Sequence, residues 1–218
     1  MKEDAVYTEK YHDLDIKIFR DEDYTSPEDD RDDGLFLVGY HRDFYVDHSF
    51  RVDGRAQGGI SKELAVEIAE DKEYDGCESA LAAEYRKKYH IFGLEAYIHS
   101  GVSLALSREG NFPDRQWDVS QLGLVFVAKK EWRTRPAARK AALGLISSWN
   151  DNLSGNVYGY VIEPGGDSCW GFYGDYDKGA LPEARSQAAF LYKEAIKKRA
   201  ARTKAMIKNK VELIYRGV

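Results

Sequence analysis

The sequence has few of the features that mark metal-binding, secreted or membrane proteins. Its 218 residues include two cysteines, Cys77 and Cys169, which lie far apart and form no Cys-x-x-Cys or Cys/His spacing. They form either one disulfide or, as we prefer, two thiols in a reducing compartment. No apolar run approaches the roughly 20 residues that cross a bilayer, and the N-terminal Met-Lys-Glu-Asp has no apolar segment behind it. We therefore expect a cytoplasmic protein that does not contact a membrane.

Motifs of the common enzyme and cofactor-binding classes are also missing. The chain has no nucleophile elbow, no Walker loop, no HExxH signature and no zinc-ligand spacing. Its acidic stretch lacks the regular alternation of an EF-hand calcium loop. The sequence thus predicts no metal and no cofactor, and it favours a protein that is not an enzyme.

The composition is that of a folded protein, with 43% hydrophobic and 32% charged residues. The order of strand-like and helix-like segments predicts an α+β fold with a mainly antiparallel sheet, several packed helices and a long C-terminal helix. We expect a single α+β domain over residues 1–187, with an acidic N-terminal loop, followed by a basic amphipathic helix over residues 188–218.

Local patterns predict the individual elements. Alternating Leu14, Ile16 and Ile18 indicate a strand with one exposed face, whereas the continuous apolar run 35–40 is typical of a central strand. A long strand or a hairpin bent at Gly101 is expected over residues 94–107. Expected helix starts are Ser61, Asp75 with Glu78, Thr134 with Pro136, and Pro182, and Gly93 is the expected end of the second helix.

Aromatic and β-branched residues are concentrated in residues 157–174, where Pro164-Gly165-Gly166 separates two strand-like runs. This pattern predicts a β-hairpin. Because cross-strand aromatic packing specifies such strand pairs, Tyr158 and Trp170 are expected to be buried. Trp170→Ala would then cost about 3–5 kcal/mol and abolish function through unfolding.

Four polar residues in or beside apolar strand segments are the candidates for catalysis: His99, Asp118, Gln121 and Asp167. A histidine–carboxylate pair can act as a general base, and a glutamine side chain can stabilise an oxyanion. The alternative, which we favour, is that His99 and Asp118 satisfy backbone groups at strand ends and turns.

The formal net charge of −5 is unevenly distributed. Residues 1–33 contain 13 acidic and 5 basic side chains, whereas residues 182–218 contain 3 acidic and 10 basic ones. Eight carboxylates fall within residues 21–33. This density indicates either a solvated loop or an imitation of a phosphate backbone that binds a basic groove. The candidate partner-binding residues of this loop are Asp29, Asp30, Asp32 and Asp33.

In the C-terminal segment, apolar residues recur every three or four positions between basic ones. We expect the helix beyond Tyr192 to pack on its own domain or on another subunit of a homo-oligomer. A basic strip would remain exposed, either merely solvated or in contact with nucleic acid, an anionic surface or an acidic partner. The candidate residues of this strip are Lys197, Lys198, Arg202 and Lys208.

Several motifs occur in the order of one protein family. They are the segment Asp33-Gly34-Leu-Phe-Leu-Val-Gly-Tyr-His41-Arg42, the triplet His99-Ser100-Gly101, the motif Trp117-Asp118-x-x-Gln121-x-Gly123 and the ending Ser168-Cys-Trp-Gly-Phe-Tyr-Gly174. In patches over residues 13–177 the chain resembles a family of small accessory proteins of bacteriophages, plasmids and integrative elements. It departs from the family pattern at Val119-Ser120, where Ser-Gly is expected, and in its long basic tail. The family has no established activity, so the resemblance carries over no catalytic residue.

Three hypotheses about function follow. The first is a non-enzymatic mobile-element protein that inhibits or binds a host or defence protein or nucleoprotein, of the anti-restriction or anti-CRISPR type, as the resemblance implies. The second is a small hydrolase or nucleotide-modifying enzyme that uses His99 and Asp118. The third is a nucleic-acid-binding protein that acts through its C-terminal helix.

Overall fold

The computed structural model describes residues 4–24, 26–29, 31–39, 65, 68 and 80–215. All strand pairs in this part of the chain are antiparallel, and the fold is α+β with a long C-terminal helix, as expected. The elements, in chain order, are β1 (Tyr7–Tyr11), β2 (Leu14–Arg20), β3 (Leu35–Gly39), α1 (Ala80–Lys88), β4 (Tyr89–Ile98), β5 (Val102–Leu106), α2 (Arg115–Asp118), β6 (Val119–Ala128), α3 (Arg135–Leu153), β7 (Val157–Glu163), β8 (Asp167–Tyr173) and α4 (Ala180–Tyr215).

The chain divides into two compact units. The central unit comprises residues 24–156, and the terminal unit comprises residues 1–23 together with 157–218. The described strands form a four-stranded sheet in each unit, in the order β3-β6-β4-β5 in the central unit and β1-β2-β7-β8 in the terminal unit. The domain boundary expected at residue 187 falls inside α4 and stays a prediction.

The terminal unit is a sheet covered on one face by the first half of α4. Ile16 and Ile18 of β2 are fully buried, as the alternating pattern predicts. They pack in one cluster with Leu181, Ala184 and Ala188 of α4. Because alanine side chains are small, the helix can lie close to the strands beneath it.

The aromatic hairpin forms as β7 and β8, but only one of the two residues that were expected to be buried is buried. Tyr158 is buried, whereas Trp170 is 46% exposed. The Trp170 ring lies over Gly159, where an added Cβ would come within 2.2 Å of the ring. Gly159 alternates with buried Tyr158 and Tyr160, so Trp170 lies on the sheet face away from the α4 cluster. With half of its surface in water, truncation of Trp170 to alanine is expected to cost only about 2 kcal/mol.

The central unit has a core on each face of its sheet. On one face, Leu37 and Val125 pack with Leu145 and Trp149 of α3. On the other face, alternate residues of β3 and β6 pack with the helical residues Ala65 and Ile68 and with Tyr85 of α1. These strand residues are Phe36, Val38, Leu124 and Phe126.

Among the described strands β3 lies at an edge of its sheet, so for this part of the chain the expectation that residues 35–40 form a central strand is wrong. Its residues are nevertheless all buried, since both faces of the strand are covered. A continuous apolar run therefore reports burial on two faces, and it does not report a neighbouring strand on each side.

Gly93 does not end a helix. Helix α1 ends at Lys88, and Gly93 lies within β4, where an added Cβ would come within 2.5 Å of Ser107 Oγ. The glycine is thus needed for close packing between strands rather than for a helix end. The expected helix starts at Ser61 and Asp75 lie outside the described residues.

Two other expectations are confirmed. β4 and β5 form a hairpin around Gly101. Helix α3 is capped by Thr134, whose side chain accepts a hydrogen bond from the Ala137 backbone N–H, and it buries Leu145, Ile146 and Trp149.

Candidate functional site

A buried carboxylate organises the loop that precedes α2 in the central unit. Glu95 of β4 is 5% exposed, and its oxygens accept hydrogen bonds from the backbone N–H groups of Arg108 and Gly110 at 2.9 and 3.3 Å. The Arg115 guanidinium donates to both oxygens at 2.9 and 2.8 Å. Because these donors satisfy the carboxylate, Glu95 anchors the loop and is not placed to act as a base.

His99 and Asp118 meet beside this loop, with 3.5 Å between His99 Nδ1 and Asp118 Oδ2. The His99 side chain is 65% exposed. Tyr97 stacks on Phe112, with ring centroids 5.5 Å apart, and lies 6.2 Å from the His99 ring. The Asp118 side chain is half-buried at 27% exposure. Water reaches the pair through the exposed His99, so the pair lacks the dry environment in which a general base and its orienting carboxylate are effective.

The other two catalytic candidates have structural partners of their own. Gln121 Nε2 donates to Ser107 Oγ at 3.1 Å, which joins β6 to the end of β5. Asp167 belongs to the terminal unit and accepts a hydrogen bond from Gln187 Nε2 at 2.6 Å. The structure therefore brings together His99 and Asp118, while Gln121 and Asp167 are engaged elsewhere.

The acidic segment contains a buried residue that sequence reasoning missed. Glu28 is 6% exposed and accepts a 2.7 Å hydrogen bond from Trp149 Nε1 of α3 and hydrogen bonds from the Leu37 backbone N–H. The sequence did contain a signal, because a tryptophan on the buried stripe of a helix needs an acceptor for its indole N–H. Glu28 thus joins the loop to both α3 and β3.

Other carboxylates of this segment also hold its backbone. Asp29 accepts from the Ser26 backbone N–H at 3.1 Å, and Asp33 accepts from the Leu35 backbone N–H at 3.2 Å and from Arg31. Asp32 is exposed, and Asp30 lies outside the described residues. Since Asp29 and Asp33 have these local roles, imitation of phosphates by the segment gains no support.

Helix α4 changes character along its length. Its buried and half-buried positions end at Ala195, and every side chain from Ile196 to Lys208 is exposed. The expectation that the segment beyond Tyr192 packs on its own domain is therefore wrong for residues 196–208. Packing on another subunit stays a prediction.

The candidate basic residues of α4, Lys197, Lys198, Arg202 and Lys208, all lie in this exposed half. Lys197 donates to Glu194 at 2.7 Å, and this hydrogen bond lowers the pKa of Glu194. Arg199 donates to Asp13 at 3.2 Å, in the turn between β1 and β2. Both pairs are at the surface, so each contributes little to stability.

Within the described residues, no three His, Cys, Asp or Glu side chains are close enough to hold a metal ion. Cys169 is exposed and free, and Cys77 lies outside that part of the chain. No helix in the described ranges has both the length and the apolar character needed to cross a membrane. Comparisons with protein-family models, curated proteins and solved structures found no match.

Proposed function

We propose that this protein is a non-enzymatic binding protein that contacts nucleic acid through the exposed half of helix α4. The observation that carries the proposal is the complete exposure of residues 196–208 in a strongly cationic part of the helix. Residues 193–210 contain eight Lys/Arg side chains and one acidic side chain, Glu194.

A helix with this charge repels itself in water, and a polyanion relieves that repulsion. Binding to phosphates releases the counterions condensed on nucleic acid, which is the main source of affinity for cationic protein surfaces. The high charge of this segment thus has an explanation in nucleic-acid binding that it lacks in the packing of the terminal unit.

Four of the six lysines of this segment also form a row. Lys193, Lys197, Lys204 and Lys208 lie within an arc of about 60°, since each residue of a helix turns by about 100°. The row is about 22 Å long at 1.5 Å per residue. A row of four cations along one helix face can neutralise phosphates of one nucleic-acid strand.

The hydrolase hypothesis is not proposed, because His99 and Asp118 pair at an exposed surface and Gln121 and Asp167 are engaged elsewhere. The hypothesis of a cytoplasmic mobile-element protein that inhibits or binds a host or defence protein or nucleoprotein stays a prediction, and it rests on the resemblance alone.

The test is fluorescence anisotropy with a labelled 30-base-pair duplex at several salt concentrations. One variant replaces the row with glutamine, Lys193, Lys197, Lys204 and Lys208→Gln. The matched control removes four exposed lysines elsewhere, Lys10, Lys130, Lys140 and Lys178→Gln, and so has the same net charge.

We expect the row variant to bind at least tenfold more weakly than the control. Its slope of log affinity against log salt should be smaller by about 3–4, at about 0.9 for each phosphate that the lysines no longer neutralise. Equal affinities of the two variants, or no binding by the unmodified protein, would overturn the proposal.

A further inference from the structure

The exposed half of α4 carries an apolar stripe in addition to its lysines. Ile196, Ala200, Thr203 and Ile207 are all exposed, and their spacing of four, three and four residues places them within an arc of about 60°. Single exposed isoleucines are ordinary, whereas a continuous line of apolar side chains along one helix face is a candidate contact surface.

The stripe lies beside the face that packs on the sheet, and Tyr192, which packs at the edge of the same cluster, lies between the two. Leu181, Ala184 and Ala188 are buried against the strands of the terminal unit. At about 100° per residue, the direction of these three side chains differs from that of the stripe by roughly 100°. Folding of the terminal unit therefore does not account for the stripe.

Cations lie on both sides of the stripe. The row of Lys193, Lys197, Lys204 and Lys208 lies next to it in one direction around the helix, and Arg199 lies next to it in the other direction. Arg199 is exposed, like the four lysines. The helix thus presents small and apolar side chains between a row of four lysines on one side and Arg199, which is bonded to Asp13, on the other.

We infer that this half of α4 enters the major groove of duplex DNA, with the stripe toward the base edges; the inference rests on the proposed function. The major groove of B-DNA, about 12 Å wide, admits a helix of about 10–12 Å. The side chains of Ile196, Ala200 and Thr203 suit the methyl groups of thymine, and the flanking cations suit the phosphates of the two strands.

Other occupants fit the charges less well. A second copy of the helix would bring two rows of lysines together, with Glu194 as the one acidic residue among residues 193–208 to offset them. Duplex RNA has a major groove too narrow for a helix. An anionic lipid surface favours larger apolar side chains than Ala200 and Thr203.

The exposed segment from Ile196 to Lys208 is about 20 Å long, which spans about six base pairs of DNA.

The experiment compares two full-length variants by fluorescence anisotropy. Ile196→Gln with Ile207→Gln changes the stripe, whereas Phe190→Gln with Met206→Gln removes two exposed apolar side chains of the same helix outside it. Each protein is titrated into duplex DNA and into duplex RNA of the same sequence. Sedimentation without nucleic acid measures whether the protein forms dimers, and a vesicle assay measures binding to phosphatidylserine.

We expect duplex DNA to bind at least tenfold more tightly than duplex RNA. The stripe variant should lose about tenfold in affinity for DNA with an unchanged salt slope, and the control should bind like the unmodified protein. Equal binding to both duplexes, or an unaffected stripe variant, overturns the groove inference; the proposed function still stands if the lysine row remains necessary.

Absence of any nucleic-acid binding overturns the inference and the proposed function together. A dimer in sedimentation that the stripe variant alone dissociates would assign the stripe to a subunit interface, and tighter binding to vesicles than to DNA would assign it to lipid. Either result overturns the groove inference.

Discussion

The two halves of helix α4 are one continuous helix with opposite relations to the fold. From Ala180 to Ala195 the helix places small and apolar side chains against a sheet, and from Ile196 onward every described side chain is exposed. Burial of the first half contributes to folding through the area removed from water. The second half contributes little of this kind, although its sequence is just as periodic. Periodicity therefore shows that a face exists, and it does not show what the face contacts.

One substitution in each half of α4 tests this difference in burial most strongly. Ala188→Arg places a charge where the side chain is fully buried, and it should cost about 3 kcal/mol or more or prevent folding. Ala200→Arg, in the exposed half, should change the free energy of unfolding by less than about 0.5 kcal/mol. Urea denaturation measures both, and equal losses of stability would contradict the comparison.

The two halves of α4 also differ, by a smaller amount, in how much their ion pairs contribute to stability. Arg185 donates to both oxygens of Glu9 at 2.8 and 2.7 Å, and these hydrogen bonds lower the pKa of Glu9. Arg199 makes one 3.2 Å bond to Asp13, and both side chains are largely exposed.

A folded-state pKa below its unfolded value contributes stability at neutral pH, and that contribution is lost as the pH falls through the folded pKa. Glu9→Gln should therefore lower the melting temperature slightly at pH 7, with the difference fading below about pH 4. Asp13→Asn should change the melting temperature at neither pH. Thermal unfolding at pH 7 and pH 3.5 checks both predictions. A larger effect of Asp13→Asn than of Glu9→Gln would show that the ion pair of the exposed half contributes more stability, contrary to this account.

The smallest effect on stability is expected from removing the exposed half altogether. A chain that stops after Ala195 should melt within about 2 °C of the full chain, because no side chain from Ile196 to Lys208, the part of the removed segment whose burial the structure describes, is buried. Calorimetry measures this melting temperature, and the same protein should no longer bind duplex DNA in the anisotropy assay. Aggregation or a large drop in melting temperature would show that this half belongs to the core.

The sequence predicted the elements better than their surroundings. The alternation in β2, the cap at Thr134 and the glycine turn of the aromatic hairpin are local signals, and each was confirmed. Three predictions were wrong: that Trp170 is buried, that β3 is central among the described strands, and that a helix ends at Gly93. Each of these depends on which neighbour lies across a strand, and that information is not local.

The motif Trp117-Asp118-x-x-Gln121-x-Gly123 shows the same limit for the candidate site. Gln121 bonds Ser107, and Gly123 allows β6 to approach β3, since an added Cβ would come within 2.1 Å of the Val38 carbonyl oxygen. Asp118 does meet His99, as a catalytic interpretation requires, but at an exposed surface. The residue types predicted the pairing, whereas only the fold shows how much water surrounds it.

The central claim is that the exposed half of α4 is the surface that binds nucleic acid. Backbone amide NMR shifts of the full chain, titrated with a 20-base-pair DNA duplex, test it most directly. We expect the shifts to change between Lys193 and Lys208, while the Trp149 indole N–H, which is bonded to the buried Glu28 carboxylate, stays in place. Shift changes centred on the loop that precedes α2, or none anywhere in the chain, would contradict the account.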